Sequence, residues 1–165
     1  MTPYRVNAQD PAIANVLLLI QASFAYMDGV VDPPSSVHQM TLDNLRDTAG
    51  KAELWAIGRP PQCCAILTPK GDTLYIGKLA TATGMRGQGL GRGMIGHAQI
   101  RATALGLTSL TLETRIELCA NHAAFAAMDF IESARSCHKG FDRHTSITFT
   151  RPVPRDTVAL KETTR

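Results

Sequence analysis

Apolar residues first recur at helical spacing. Ile13, Val16, Leu17, Ile20 and Phe24 mark one face of a predicted core helix. Asp10-Pro11 ahead of them supplies an N-cap and a residue suited to the first helical position. Leu17-Leu18-Leu19-Ile20 is too short to cross a bilayer and follows no basic n-region, so no membrane association is expected. A Gly and a Pro pair break the pattern between Met27 and Ser36. Thr41 then caps a second predicted helix, with Leu42 and Leu45 on its buried face and Gly50 at its end. Beyond it the pattern becomes strand-like. Pro3–Asn7 predicts a short first strand, and Glu53–Ile57 and Cys63–Leu67 predict two more joined by Gly58–Gln62. Pro69-Lys70-Gly71-Asp72 turns into a further strand, Leu74–Thr81, and the short connections predict an antiparallel meander. A helix follows to about Leu105-Gly106, then a strand at Ser109–Thr114 that returns parallel, and a closing strand at Thr145–Thr150.

Between the strand at Leu74–Thr81 and the following helix lies Gly84-Met85-Arg86-Gly87-Gln88-Gly89-Leu90-Gly91-Arg92-Gly93. Its glycines let backbone N–H groups approach a ligand closely, and its place at a helix N-terminus favours phosphate. Arg86 and Arg92 add positive charge. A nucleotide P-loop is excluded, because Leu90-Gly91 rather than Lys-Ser/Thr follows Gly89. Gly91-x-Gly93-x-x-Gly96 matches the dinucleotide fingerprint, with Glu113 near the place of a ribose-binding acid. In that fingerprint, however, the first glycine follows its strand directly, whereas here about nine residues intervene.

Arg86-Gly87-Gln88-Gly89-Leu90-Gly91 also fits a third pattern: Gln or Arg, two residues, Gly, one residue, then Gly or Ala. In this it resembles the coenzyme A pyrophosphate loop of the GNAT acetyltransferase superfamily. Ser109–Thr114 followed by Asn121–Phe130 is similar to the family's downstream strand, Asn and short helix. The resemblance implies an α/β (mixed α+β) fold, with a mostly antiparallel sheet of six to seven strands splayed between the fourth and fifth and flanked by helices. It implies one such domain over residues 1–152, with a polar tail at 153–165. The implied reaction is acetyl transfer from acetyl-CoA to a primary amine, by direct attack in a ternary complex. Leu79, Ala80 and Thr81 would line the pantetheine arm, with a backbone N–H near Leu79 polarising the acetyl carbonyl. Arg86, Gly87, Gln88, Gly89, Leu90, Gly91 and Arg92 would hold the pyrophosphate, Asn121 would bind the arm, and Phe125 would also contact the coenzyme. By the same analogy Tyr26, Asp28, Asp32 and Ser35, in the connection between the first two helices, are candidates for binding the acceptor.

One departure concerns the leaving group. The family commonly has a tyrosine that protonates the departing thiolate, and the equivalent position here is Phe125. Solvent or Cys119 would then supply the proton, and a non-catalytic acyl-CoA-binding sensor is the alternative reading. Asp129 stands where the family has Gly, and Asp tolerates a left-handed turn. Glu113, at the end of the fifth strand, and His138 are the candidate general bases for an ammonium acceptor.

Composition narrows the partners. With 44% apolar and 19% charged residues the chain reads as globular, and a net charge of +3 without basic blocks argues against nucleic acid. The four cysteines form no C-x-x-C pair, so buried reduced thiols in a cytoplasmic protein are expected. No His or Cys spacing suggests a metal. The resemblance implies a small-molecule, peptide or protein amine as the acceptor and allows a homodimer.

Overall fold

A computed structural model describes residues 1–155. One seven-stranded sheet runs through it, in the order β1-β2-β3-β4-β5-β7-β6. The strands are β1 (Tyr4–Arg5), β2 (Glu53–Ile57), β3 (Cys63–Lys70), β4 (Thr73–Thr81), β5 (Ser109–Arg115), β6 (Ile131–Ser136) and β7 (Ser146–Pro152). The helices are α1 (Ile13–Phe24), α2 (Leu42–Lys51), α3 (Leu90–Ala104) and α4 (Cys119–Ala127). All neighbours are antiparallel except β4 and β5.

The central strand explains the layering. Cys63 to Leu67 are all buried, because successive side chains point to opposite faces and both faces are covered. Cys63, Ala65 and Leu67 join a core with α3 residues Met94, Ile95 and Ala98. Cys64 and Ile66 join the opposite core, with Ile13, Val16 and Ile20 of α1 and Leu45 of α2.

Several boundaries differ from the sequence expectation. Asp10 Oδ1 accepts from Ala12 N–H at 2.9 Å, but Pro11 and Ala12 form a turn and the regular helix starts at Ile13. Leu19 and Ser23 join its buried face, while Leu17 and Phe24 are only half-buried. In α2 the capping box between Thr41 and Asn44 forms, with Asn44 N–H donating to Thr41 Oγ1 at 3.1 Å. Gly50 does not stop this helix, which continues to Lys51. Thr41→Ala is expected to cost about 1 kcal/mol, read from the urea midpoint. β3 runs past the predicted Leu67 to Lys70, and Pro69 pairs with Leu74. This is tolerated because β2 ends its pairing at Leu67, so no neighbour seeks the missing N–H on that side. The turn shrinks to Gly71-Asp72, with Gly71 at φ +61°.

Two features open the sheet. β4 and β5 pair only at Thr73↔Ser109, Leu74↔Leu110 and Tyr75↔Thr111. Beyond that point β4 remains paired with β3 as far as Thr81, and β5 with β7 as far as Arg115, so the two halves separate. A β-bulge marks the departing arm: Lys78 and Leu79 together oppose Ala65, and Lys78 takes φ +50°. That left-handed conformation costs a non-glycine residue about 1 kcal/mol or more. Asp129 also takes a positive φ, +67°, in the turn where its tolerance was expected to matter.

Val153 does not belong to a free tail, because its N–H donates to Thr108 C=O at 2.9 Å. Residues 156–165 of the expected tail lie outside the described residues. No described helix is long and apolar enough to cross a membrane.

Candidate active site

The gap between β4 and β5 is a cleft of about 270 Å³. One wall is β4 from Tyr75 to Leu79, another is β5 from Leu112 to Arg115, and α4 contributes Asn121 and Phe125. Phe24, Met27, Ser35, Ser36 and Val37, from α1 and the connection to α2, close the third side, and His138 and Ser146 a fourth. A second hollow lies between the glycine stretch and the other flank of α4, at Ala124, Ala127 and Met128. α4 thus borders both.

The second hollow lies at a helix start with unpaired backbone amides. Gly89 caps α3 at φ +81° without a side-chain cap, and the first intrahelical bond runs from Gly93 N–H to Gly89 C=O at 2.9 Å. The amides of Leu90, Gly91 and Arg92 therefore have no intrahelical partner and face the positive end of a fifteen-residue helix. A Cβ at Gly84, Gly87 or Gly89 would meet nothing within 4 Å, so the backbone there lies bare. Thr81, Arg86, Gly87, Gly89, Leu90, Gly91 and Arg92 all line this hollow, whereas Gln88 is exposed and lines neither. The Arg86 guanidinium reaches back to Ser23 C=O at 3.3 Å and lies 5.5 Å over the Tyr26 ring.

The remaining predicted residues divide. Leu79, Ser35, Glu113, His138, Asn121 and Phe125 line the cleft. Ala80, expected to line the arm, is 3% exposed, packs into the α1/α2 core and lines neither hollow. Tyr26 lines neither hollow; its hydroxyl accepts from Asn121 Nδ2 at 3.4 Å. Asp28 and Asp32 do not line the cleft: Asp28 pairs with His38, and Asp32 with Arg143 at 3.0 Å. Their charges are satisfied at the surface, while the loop between them and α2 turns its serines inward.

Phe125 packs against Phe130 and Phe149 and offers no proton. Cys119, at the exposed start of α4, is not among the cleft residues. Cys63 and Cys64 are buried as expected, but Cys119 and Cys137 are exposed. Thr145, fully buried, fixes His138: its Oγ1 accepts from His138 N–H at 2.8 Å and lies beside ring Nδ1. Glu113 is exposed; burial first, and then the charge of Glu113, push the Tyr75 phenol up to about 12.

Sequence reasoning missed Tyr75, Lys78 and Arg115. Arg115 donates to Pro33 C=O at 2.7 Å and Pro34 C=O at 3.3 Å, tying the α1–α2 loop to β5. Burial, then the charge of Arg115, lowers the Lys78 pKa. The available signal was Gly77 inside a strand pattern, which marks a bulge or a close approach. Here a Cβ at Gly77 would stand 3.2 Å from the Tyr75 ring. Among the described residues no group of three or more His, Cys, Asp or Glu could hold a metal ion.

Unpaired amides at the start of α3 thus lie beside the gap between the two parallel strands β4 and β5. The chain belongs to the GNAT acetyltransferase family, whose model matches residues 30–130. Its fold is shared with Ard1 from Thermoplasma volcanium, at TM-score 0.73 and 14% identity over 93% of this chain and 98% of that one. The ribosomal-protein-S18-alanine N-acetyltransferase from Escherichia coli superposes at TM-score 0.68 and 17% identity, covering 94% of this chain and 95% of its own. The NatC complex bound to Gag peptide and CoA gives 0.65 and 19%, covering 93% and 98%. No curated protein matches the sequence.

Proposed function

We propose that the chain is an N-acetyltransferase that moves the acetyl group of acetyl-CoA to a primary amine by direct attack in a ternary complex. The observation that carries this reading is the uncapped, glycine-lined start of α3 beside a cleft whose strand edges are unpaired. The pyrophosphate would lie on the amides of Leu90, Gly91 and Arg92, and the pantetheine arm would run between β4 and β5 past Asn121. At the bulge the backbone N–H of Leu79 would polarise the thioester carbonyl, where oxyanion charge develops. Such pre-positioning supplies much of the acceleration, since the amine meets a fixed carbonyl.

Glu113 is the base on the acceptor side, accepting the ammonium proton directly or through water. Glu113→Gln is expected to lower kcat/KM about 100-fold. An unchanged rate would transfer the role to His138, whose Nε2 is left basic if Nδ1–H donates to Thr145 Oγ1. Solvent protonates the leaving thiolate.

The absence of a hydroxyl on Phe125 favours a second reading, an acyl-CoA-binding sensor without turnover. Release of CoA thiol across an amine panel separates the two. Sustained acceptor-dependent release establishes the transferase, and an acetyl-CoA-dependent rise in Tm without release establishes the sensor.

A further inference from the structure

Lys78 is held in a conformation that a glycine would adopt more easily. It takes φ +50° at the bulge in β4, the only described residue besides Asp129 and the glycines with a positive φ. Its side chain is half-buried, lines the cleft, and makes no hydrogen bond or ion pair with any described residue. A strained, unpaired cation on a cleft wall is an outlier that packing alone does not account for.

The charges around it are arranged unevenly. Arg115 faces it across the opening, but the Arg115 guanidinium is engaged by the Pro33 and Pro34 carbonyls. Glu113 is the one carboxylate among the described cleft residues, and its influence falls on Tyr75. The β4 wall of the cleft thus offers an uncommitted ammonium and the β5 wall a carboxylate.

We propose that Lys78 selects acceptors that carry a carboxylate as well as the reacting amine. The acceptor's amine approaches Glu113, and its carboxylate pairs with the Lys78 ammonium at the bulge. Free amino acids and peptides with an acidic residue near the N-terminus share this chemistry. The inference rests on the acetyltransferase reading and narrows it to a substrate class.

The test compares matched acceptors that differ only in that charge. One arm uses free amino acids against their α-carboxamides. The other uses short peptides with Glu or Gln at the second position, which separates the two sources of the carboxylate. With the wild type, kcat/KM for the acid in at least one arm should exceed that for its amide. Lys78→Met and Lys78→Gly should both collapse that ratio about tenfold or more, mainly through KM, the size expected for a charge-assisted hydrogen bond. Lys78→Gly also suits the bulge backbone, so it guards against a variant that fails to fold.

An equal acid-to-amide ratio in wild type and variants overturns the proposal, as does a loss confined to kcat for all acceptors. That last result would place Lys78 at the thioester instead. If acetyl-CoA neither raises Tm nor is turned over, the parent reading fails and takes this one with it. If acetyl-CoA raises Tm and only carboxylate-free amines release CoA, this proposal alone fails.

Discussion

Gly91→Glu is expected to abolish acetyl-CoA binding while leaving the unliganded protein as stable as the wild type, or slightly more so. Gly91 is not among the glycines with positive φ, and a Cβ there would have its nearest contact with Thr81 Oγ1 at 4.0 Å, an ordinary distance. Gly87 and Gly89 are poorer choices, because φ of +77° and +81° would strain any replacement. A carboxylate in the first turn of α3 complements the helix dipole, adding a few tenths of a kcal/mol, and Glu is a better helix former than Gly. Toward a pyrophosphate on the same amides it is repulsive. At about 5 Å and an effective dielectric near 20 the cost is about 3 kcal/mol per charge, more than 100-fold in affinity. For the wild type, acetyl-CoA at one hundred times its Kd should add about 2.7 kcal/mol. For a chain of this length that is a rise in Tm of about 5–10 °C. The variant should show none, and a retained rise would remove the pyrophosphate from this hollow.

Arg101→Met should be the most destabilising of the substitutions considered. Glu53 is 9% exposed and accepts from Arg101 Nε and Nη2 at 2.8 and 2.9 Å and from Trp55 Nε1 at 2.9 Å, with Arg5 Nη1 forming a looser ion pair at 3.8 Å. Removing Arg101 strands a buried carboxylate, a loss of about 3 kcal/mol, at the low end for broken buried pairs because Arg5 remains. The hydrogen bonds from Arg101 hold the Glu53 carboxyl below its ordinary value of 4.5. The unfolded chain therefore takes up the proton first as pH falls. The contribution is complete above about pH 4.5 and disappears as pH drops through the folded value. Urea midpoints of wild type and variant should thus differ most near neutrality and converge in acid. Glu53→Leu combined with Arg101→Met should recover most of the loss, since the stranded charge is then gone. A gap independent of pH would assign the effect to lost packing on Trp55, whose ring lies 6.0 Å from the Arg101 guanidinium.

The parts legible in the sequence are those set by local chemistry. The glycine spacing from Arg86 to Gly91 carries its own reading, because backbone amides at a helix start need no distant partner. Thr41 with Asn44, and Asp129 in its turn, are local in the same way. The cleft was legible only through resemblance, since the parting of β4 from β5 depends on pairing between residues far apart in the chain. The acceptor wall was harder still. Asp28 and Asp32 were reasonable candidates by position, but His38 and Arg143 claim them, and Arg143 lies 111 residues from Asp32. Lys78 reads as an ordinary strand residue until β3 and β4 are in register and the bulge places it in the left-handed region. The α1 and α2 boundaries moved by one or two residues because turns and hydrogen bonds at helix ends, rather than Pro or Gly alone, decide where the regular helix begins and stops.

A sheet that parts along its middle has four edges instead of two. β1 and β6 are the outer pair, and the unpaired stretches of β4 beyond Tyr75 and of β5 beyond Thr111 are the inner pair. Unpaired strand edges recruit strands from other molecules. The outer edges are blunted, β1 by its length of two residues and β6 by Glu132 and Arg135. Over the inner edges stand the end of α1, the α1–α2 loop, α4 and the segment around His138. An occupant that paired with both would return the molecule to two edges, and the chain with its cleft empty would then be the form open to misassembly at high concentration.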